Sequence, residues 1–155
     1  MTERLKFARA FPEGIHALMT LGKTINAGGL EASLLELVKV RASQLNGCAY
    51  CIDMHTKDAR AAGETEQRLY ALSAWRETPF FTPRERAALA WTEAITNIQL
   101  GHADDAIYEQ VRSEFNDADL VKLTLGITQI NAWNRIAIAF RTEPGTYQPA
   151  AHLTA

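Results

Sequence analysis

The sequence predicts an all-α protein, a multi-helix bundle folded as one domain. Three observations carry that prediction. First, no stretch alternates apolar and polar residues with the period of a strand, and the one Asn-Gly pair, Asn46-Gly47, lies between two helical patterns, not between β-branched runs. Second, helix start and stop signals recur along the chain, with short connections between them. Third, the 155 residues suffice for one domain with a real core. We assign residues 1–155 to that domain, its core to residues 11–145, and residues 146–155 to a tail.

The first helix is expected over residues 13–27, stopped by Gly28-Gly29. The second runs over 31–45. Leu34, Val38 and Leu45 share one of its faces, while Leu35, Leu37 and Val40 spread around the rest. Apolar residues on most sides mean burial on more than one side. Asn46-Gly47 breaks the chain, and a third helix starts near Cys48 and ends at Gly63. At helical spacing Cys48, Cys51, Ile52, His55, Ala59 and Ala62 fall on one inward stripe, Asp53, Lys57 and Arg60 lie on the far side, and Tyr50 projects roughly opposite the cysteines. A fourth helix covers 64–74. The fifth opens at Thr82-Pro83-Arg84-Glu85, where Thr82 caps, Pro83 suits the first helical position and Glu85 completes a capping box, and it runs to residue 97. A sixth spans 104–115. Asn116-Asp117 caps a long seventh that stops near Arg141, before Pro144-Gly145. Its apolar stripe holds Leu120, Leu123, Ile127 and Ile138, with Asn131 and Asn134 on the same stripe.

Composition excludes several classes. With 16 basic and 18 acidic residues, a net charge of −2 and no long charge run, neither a nucleic-acid footprint nor an acidic tail is indicated. No apolar run reaches the length of a membrane span, and the N-terminal MTERLKFARAFPEG lacks the apolar segment of a secretory signal. The expected location is the cytoplasm. There, two cysteines three residues apart do not make a structural disulfide framework; such a pair is catalytic or metal-binding.

The stretch Glu36 to His55, ELVKVRASQLNGCAYCIDMH, concentrates the chemistry. Cys48 and Cys51 are close enough to join in a disulfide. At the start of a helix the positive end of the dipole favours a thiolate. His55, one turn after Cys51, can take its proton, and Glu36 can hold the other ring nitrogen, raising basicity and setting the tautomer. A thiolate attacks a peroxide oxygen and becomes a sulfenic acid, a second thiol condenses with it to a disulfide, and an external dithiol reopens that bond. Cys51 suits the first role because it is nearer His55 and deeper, and Cys48 the second, at the exposed helix start. The alternatives are two small buried hydrophobes, a disulfide reductase or peroxide sensor using the same dithiol, and a structural zinc module with Cys48, Cys51, His55 and Glu36 as ligands. Arg41 reads as a structural ion pair or a snorkelling stem. His102 and His152 read as solvated, His16 as a partly buried helix residue, and Trp75, Trp91 and Trp133 as core or interface.

These residues resemble the alkylhydroperoxidase D (AhpD)-like branch of the carboxymuconolactone decarboxylase family. The signature is a glutamate, a Cys-x-x-Cys twelve residues on, and a histidine four beyond; Glu36, Cys48, Cys51 and His55 match it. The likeness extends to Leu69-Tyr70-Ala71-Leu72 with Trp75-Arg76-Glu77-Thr78, to Phe81-Thr82-Pro83-Arg84-Glu85-Arg86 and to Asn131-Ala132-Trp133-Asn134-Arg135. It implies an all-α fold in trimers or hexamers. It also implies hydroperoxide reduction by the second cysteine, resolution by the first, a Glu-His proton relay, no cofactor, and a dithiol reductant that is lipoyl-dependent in the best-known branch. There is one departure. That branch has a second histidine directly before the second cysteine, where this chain has Tyr50. The decarboxylase branch lacks the cysteine pair, so the resemblance does not point to decarboxylation. A homo-oligomer is expected independently, because the second helix is apolar nearly all round and Asn131 and Asn134 need partners that another subunit could supply.

Overall fold

Leu34, Leu35, Leu37, Val38, Val40, Ala42 and Ser43 are all buried, so helix α3 (Ala32–Asn46) is covered over most of its circumference. Burying each of its leucines and valines is worth about 1.5–3 kcal/mol, so this one helix supplies a large share of the drive to fold. Three helices close around it: α4 (Ala49–Ala61), α6 (Pro83–Thr96) and α9 (Asp117–Phe140). The computed structural model describes residues 2–149, and among these there is no strand. The remaining helices are α1 (Phe7–Ala10), α2 (Pro12–Asn26), α5 (Glu66–Ala71), α7 (Ile98–Gly101) and α8 (Asp105–Arg112).

The seven expected helices are all present, with local differences. The short α1 was not anticipated. It forms because the chain start is pinned to the end of α9: the Arg4 N–H donates to the Phe140 carbonyl at 2.9 Å, and the Phe7 ring stacks on Phe140 with centroids 5.9 Å apart. The expected fourth helix divides into α5 and a 3₁₀ turn, Leu72–Glu77, kinked at Ala74. The turn is held by polar contacts. Trp75 Nε1 donates to Glu93 at 2.8 Å, Arg76 pairs with the same carboxylate, and Arg86 donates to the Trp75 and Thr78 carbonyls. Arg41 also donates to Glu93, at 2.8 Å, which makes it the structural ion pair expected. The capping box at Thr82 is complete, and Asn116 caps α9 through the Asp119 N–H. Trp75 and Trp91 lie in the core; His16 and His102 are exposed, the former contrary to expectation, and His152 lies outside the described residues.

Both sequence-level grounds for an oligomer are met within one chain. The apolar surface of α3 is covered by its own neighbours. Asn131 and Asn134 find partners across α3: Asn46 Nδ2 donates to the Oδ1 of each at 2.8 Å, Asn134 Nδ2 donates to Ser43 Oγ at 3.0 Å, and Asn131 Nδ2 to Thr96 Oγ1 at 3.0 Å. This amide ladder fixes the rotation of α9 against α3, because sliding either helix by a turn would strand several buried polar groups.

Replacing Asn134 by Ala removes two of these bonds, leaves Ser43 with a lost partner and opens a small void. Urea unfolding should show a loss of about 2–4 kcal/mol. A change within about 0.5 kcal/mol would mean that the ladder does not hold the two helices.

Candidate active site

The turn between α3 and α4 brings the cysteines into the core. Gly47 adopts φ 68°, the left-handed conformation that costs a Cβ-bearing residue strain, so the chain reverses in one residue. Cys48 is then the N-cap of α4. Its N–H donates to the Ser43 carbonyl at 3.0 Å, and its Sγ accepts the Cys51 N–H at 3.3 Å. Cys48 and Cys51 are joined in a disulfide, with Cα atoms 5.4 Å apart. Cys48, expected at an exposed helix start, is only 1% exposed, against 3% for Cys51. The reason is α9: Ile130 and Ala137, with Ala42 of α3, pack in one cluster with both sulfurs. Tyr50, expected to point away from the cysteines, packs against this same cluster, as does Trp133.

His55 lies one turn beyond Cys51 and is buried. Its Nδ1 meets Glu36 Oε2 at 2.9 Å, across the α3–α4 interface. Lys39 Nζ donates to the other oxygen, Glu36 Oε1, at 2.7 Å. Burial alone would raise the Glu36 pKa; the hydrogen bond and charge of His55, joined by Lys39, outweigh it and hold the carboxyl below its ordinary value. Against an ionised Glu36, Nδ1 is the donor of this bond, which leaves Nε2 as the ring nitrogen free for another partner.

Two further groups complete the surroundings. Asp58, one residue short of a full turn after His55, accepts from the Tyr147 hydroxyl at 2.7 Å. That bond, followed by burial and the nearby carboxylates, pushes the Tyr147 pKa up to about 12, so the phenol stays a donor. The Gly145 N–H donates to Asp53, and Lys57 donates to the Gly145 and Tyr147 carbonyls. Gly145 and Tyr147, the latter within the stretch read as a tail, are therefore strapped along α4. Glu36, His55 and Asp58 each bring a ligand atom within 4.8 Å of the other two. Lys39 already occupies one Glu36 oxygen, and with both sulfurs joined the four-ligand zinc set is not available in this oxidation state.

A cavity of about 470 Å³ opens on Cys51 and His55, walled by Met19, Tyr50, Met54 and Trp133. Trp133 thus belongs to the site wall as well as to the core. The volume is that of an ordinary small-molecule site.

The family model for the carboxymuconolactone decarboxylase family matches residues 12–94, more than half of the chain. The chain belongs to that family. Within it, the chain falls in the AhpD-like branch. It is 46% identical to the uncharacterized protein YdfG of Bacillus subtilis (strain 168), over 90% of this chain and 95% of the relative. Among solved structures it is similar to ATU0492 of Agrobacterium tumefaciens, a protein of unknown function for which a role as an AhpD antioxidant defence protein has been suggested. The identity is 42%, the TM-score 0.91, and the match covers 94% of this chain and all of the other, 100%. An uncharacterized peroxidase-related protein of Ralstonia eutropha JMP134, an alkylhydroperoxidase AhpD core, shares the fold at 21% identity and TM-score 0.78, over 90% of this chain and 75% of that one.

The four residues of the AhpD-like signature thus lie together in this family member. Sequence reasoning missed Lys39, Asp58 and Tyr147. Lys39 was findable, three residues after Glu36 on the same helix; Asp58 likewise stands three after His55. Nothing in the sequence ties Tyr147 to Asp58, since that contact spans 89 residues.

Because the folded-state pKa of Glu36 is depressed, its ionisation contributes stability above the unfolded-state value of about 4.3, and this is lost as pH falls through the folded value. Glu36→Gln should therefore be less stable than the wild type in urea at about pH 7, by a margin that shrinks at about pH 3. An equal margin at both would show that the carboxylate is not what His55 and Lys39 hold.

Proposed function

We propose that the chain is a dithiol peroxidase that reduces a small hydroperoxide, organic or hydrogen peroxide. One observation carries this reading: Cys51 and His55 line one cavity a helical turn apart, with Glu36 on Nδ1 and Cys48 joined to Cys51. In the reduced protein His55 takes the Cys51 proton at Nε2. The thiolate attacks a peroxide oxygen, the O–O bond breaks, and the alkoxide leaves as an alcohol with the proton from His55. Cys51 becomes a sulfenic acid. Cys48, at the N-terminus of α4 where the dipole favours its thiolate, attacks the Cys51 sulfur; the S–S bond forms and water departs. One hydroperoxide and two thiols thus yield an alcohol, water and a disulfide. An external dithiol then returns the protein to its starting state, by resemblance a lipoyl-type one, and a cytoplasmic location suits such a cycle. Glu36, itself held by Lys39, positions the imidazole and completes the Glu36–His55 proton relay.

The suggested AhpD role of ATU0492, at 42% identity over nearly the whole chain, supports this assignment. The family resemblance also supports a homo-oligomer, trimer or hexamer. With α3 and the asparagines satisfied internally, the contact surface would be the exposed apolar residues Val121 and Leu125 of α9.

With cumene hydroperoxide and dithiothreitol, the wild type should turn over many times and Cys51→Ser should fall by more than about a hundredfold. Cys48→Ser should consume one peroxide per chain and stop with a sulfenic acid on Cys51. Full turnover in Cys51→Ser would overturn the assignment, and one rapid oxidation without cycling in the wild type would make the protein a sensor. Light scattering checks assembly: a stable 17.2 kDa species would exclude the oligomer.

A further inference from the structure

The disulfide stands between two cavities, and each cysteine lines a different one. Cys51 and His55 line the cavity already described, and Cys48 does not. Cys48 lines a second cavity of about 480 Å³, where neither Cys51 nor His55 takes part. Its lips are Ala49 at the start of α4 and Ile138 on α9, with Arg141 and Glu143 beyond. Tyr50, Ala137 and Thr142 line both cavities and so form the partition between them. The Thr142 hydroxyl in that wall is buried without a hydrogen-bond partner among the described residues, a donor left for a polar group seated against it. Cys48 is 1% exposed, so a reagent reaches its sulfur through this cavity and not across an open surface.

Resting on the peroxidase reading, we propose that the two half-reactions use separate entrances: hydroperoxide enters on the Cys51 side, and the dithiol reductant enters through the cavity between Ala49 and Ile138 to attack Cys48. The chemistry fits this division. A reductant thiol gives up its proton and attacks the Cys48 sulfur as the thiolate, a mixed disulfide forms, and Cys51 leaves as a thiolate that takes up that proton by way of His55. The second thiol of the reductant then attacks its own sulfur in the mixed disulfide and releases Cys48. The reductant ends as a disulfide and both protein thiols are restored. Cys51 is thereby freed on the side where the next peroxide arrives. Tyr50 acquires a role here: as the wall between the entrances, it keeps the reductant from competing for the peroxide site.

The test separates the two half-reactions in stopped flow on the intact protein. Ile138→Trp and Ala49→Leu lie at exposed positions and narrow the Cys48 side; Met19→Trp, also exposed, narrows the Cys51 side. Opening of the disulfide by dithiothreitol should be about tenfold slower in the first two, while oxidation of the reduced dithiol by cumene hydroperoxide stays within about twofold. Met19→Trp should show the reverse. Equal slowing of both half-reactions in Ile138→Trp and Ala49→Leu, or no slowing of reduction in either, would overturn separate entrances. If the wild-type dithiol does not react with hydroperoxide, the peroxidase reading fails, yet the dithiothreitol arm still decides whether Cys48 is reached between Ala49 and Ile138.

Discussion

A helix covered on nearly every side must satisfy its polar groups from its own neighbours, and α3 is such a helix. Its carbonyls and amides pair along the helix, but Ser43 is fully buried and Glu36 and Asn46 are half-buried, so water alone does not satisfy them. Each therefore reaches into a neighbouring helix. Ser43 and Asn46 lock onto Asn131 and Asn134 of α9, and Glu36 locks onto His55 of α4. The same requirement that keeps the core from holding unpaired polar groups thus sets the rotation of α9 and the orientation of the imidazole. The site is a consequence of how α3 is packed.

The α3–α4 turn converts that packing into chemistry. Gly47 permits an abrupt reversal, so the N-terminus of α4 starts inside the core and carries Cys48 with it. α9 lies over the turn and buries both cysteines. A buried thiol is hard to ionise unless something compensates, and here the compensation differs for the two. Cys48 has the N-terminus of α4 and the Cys51 N–H; Cys51 has His55 one turn on. Two cysteines in one hydrophobic cluster thereby have unlike surroundings, which suits the resolving mechanism proposed above.

A second polar centre stabilises the opposite side of α3. Glu93 receives Arg41, Trp75 and Arg76, and Arg86 closes the 3₁₀ turn through carbonyls. Burial would raise the Glu93 carboxyl, but the donors around it together hold it below its ordinary value, which keeps it ionised as their common acceptor. Trp75, Arg76, Thr78 and Arg86, which resemble family motifs, thus serve to hold the bundle around α3. They take no part in the cysteine site.

The seven expected helices, their caps and the Cys48, Cys51 and His55 part of the signature set were determined by the sequence alone, because each rests on contacts within about one helical turn: a capping box at Thr82, a glycine after Asn46, and Cys51 and His55 one turn apart on α4 with Cys48 as its N-cap. Local spacing also identified Arg41 as structural. What spacing along one helix cannot report is which neighbour covers it. Helical spacing alone puts Cys48 at an exposed helix start, because the α9 residues that bury it lie more than eighty positions away, and it turns Tyr50 outward for the same reason. Asn131 and Asn134 suggested a second subunit because their partner, Asn46, is equally remote. The strap from Gly145 to Tyr147 has no periodic signature, so only the fold could lay it on α4. Long-range packing of short segments is set by the sum of many surfaces, and that sum exists only once the chain has closed.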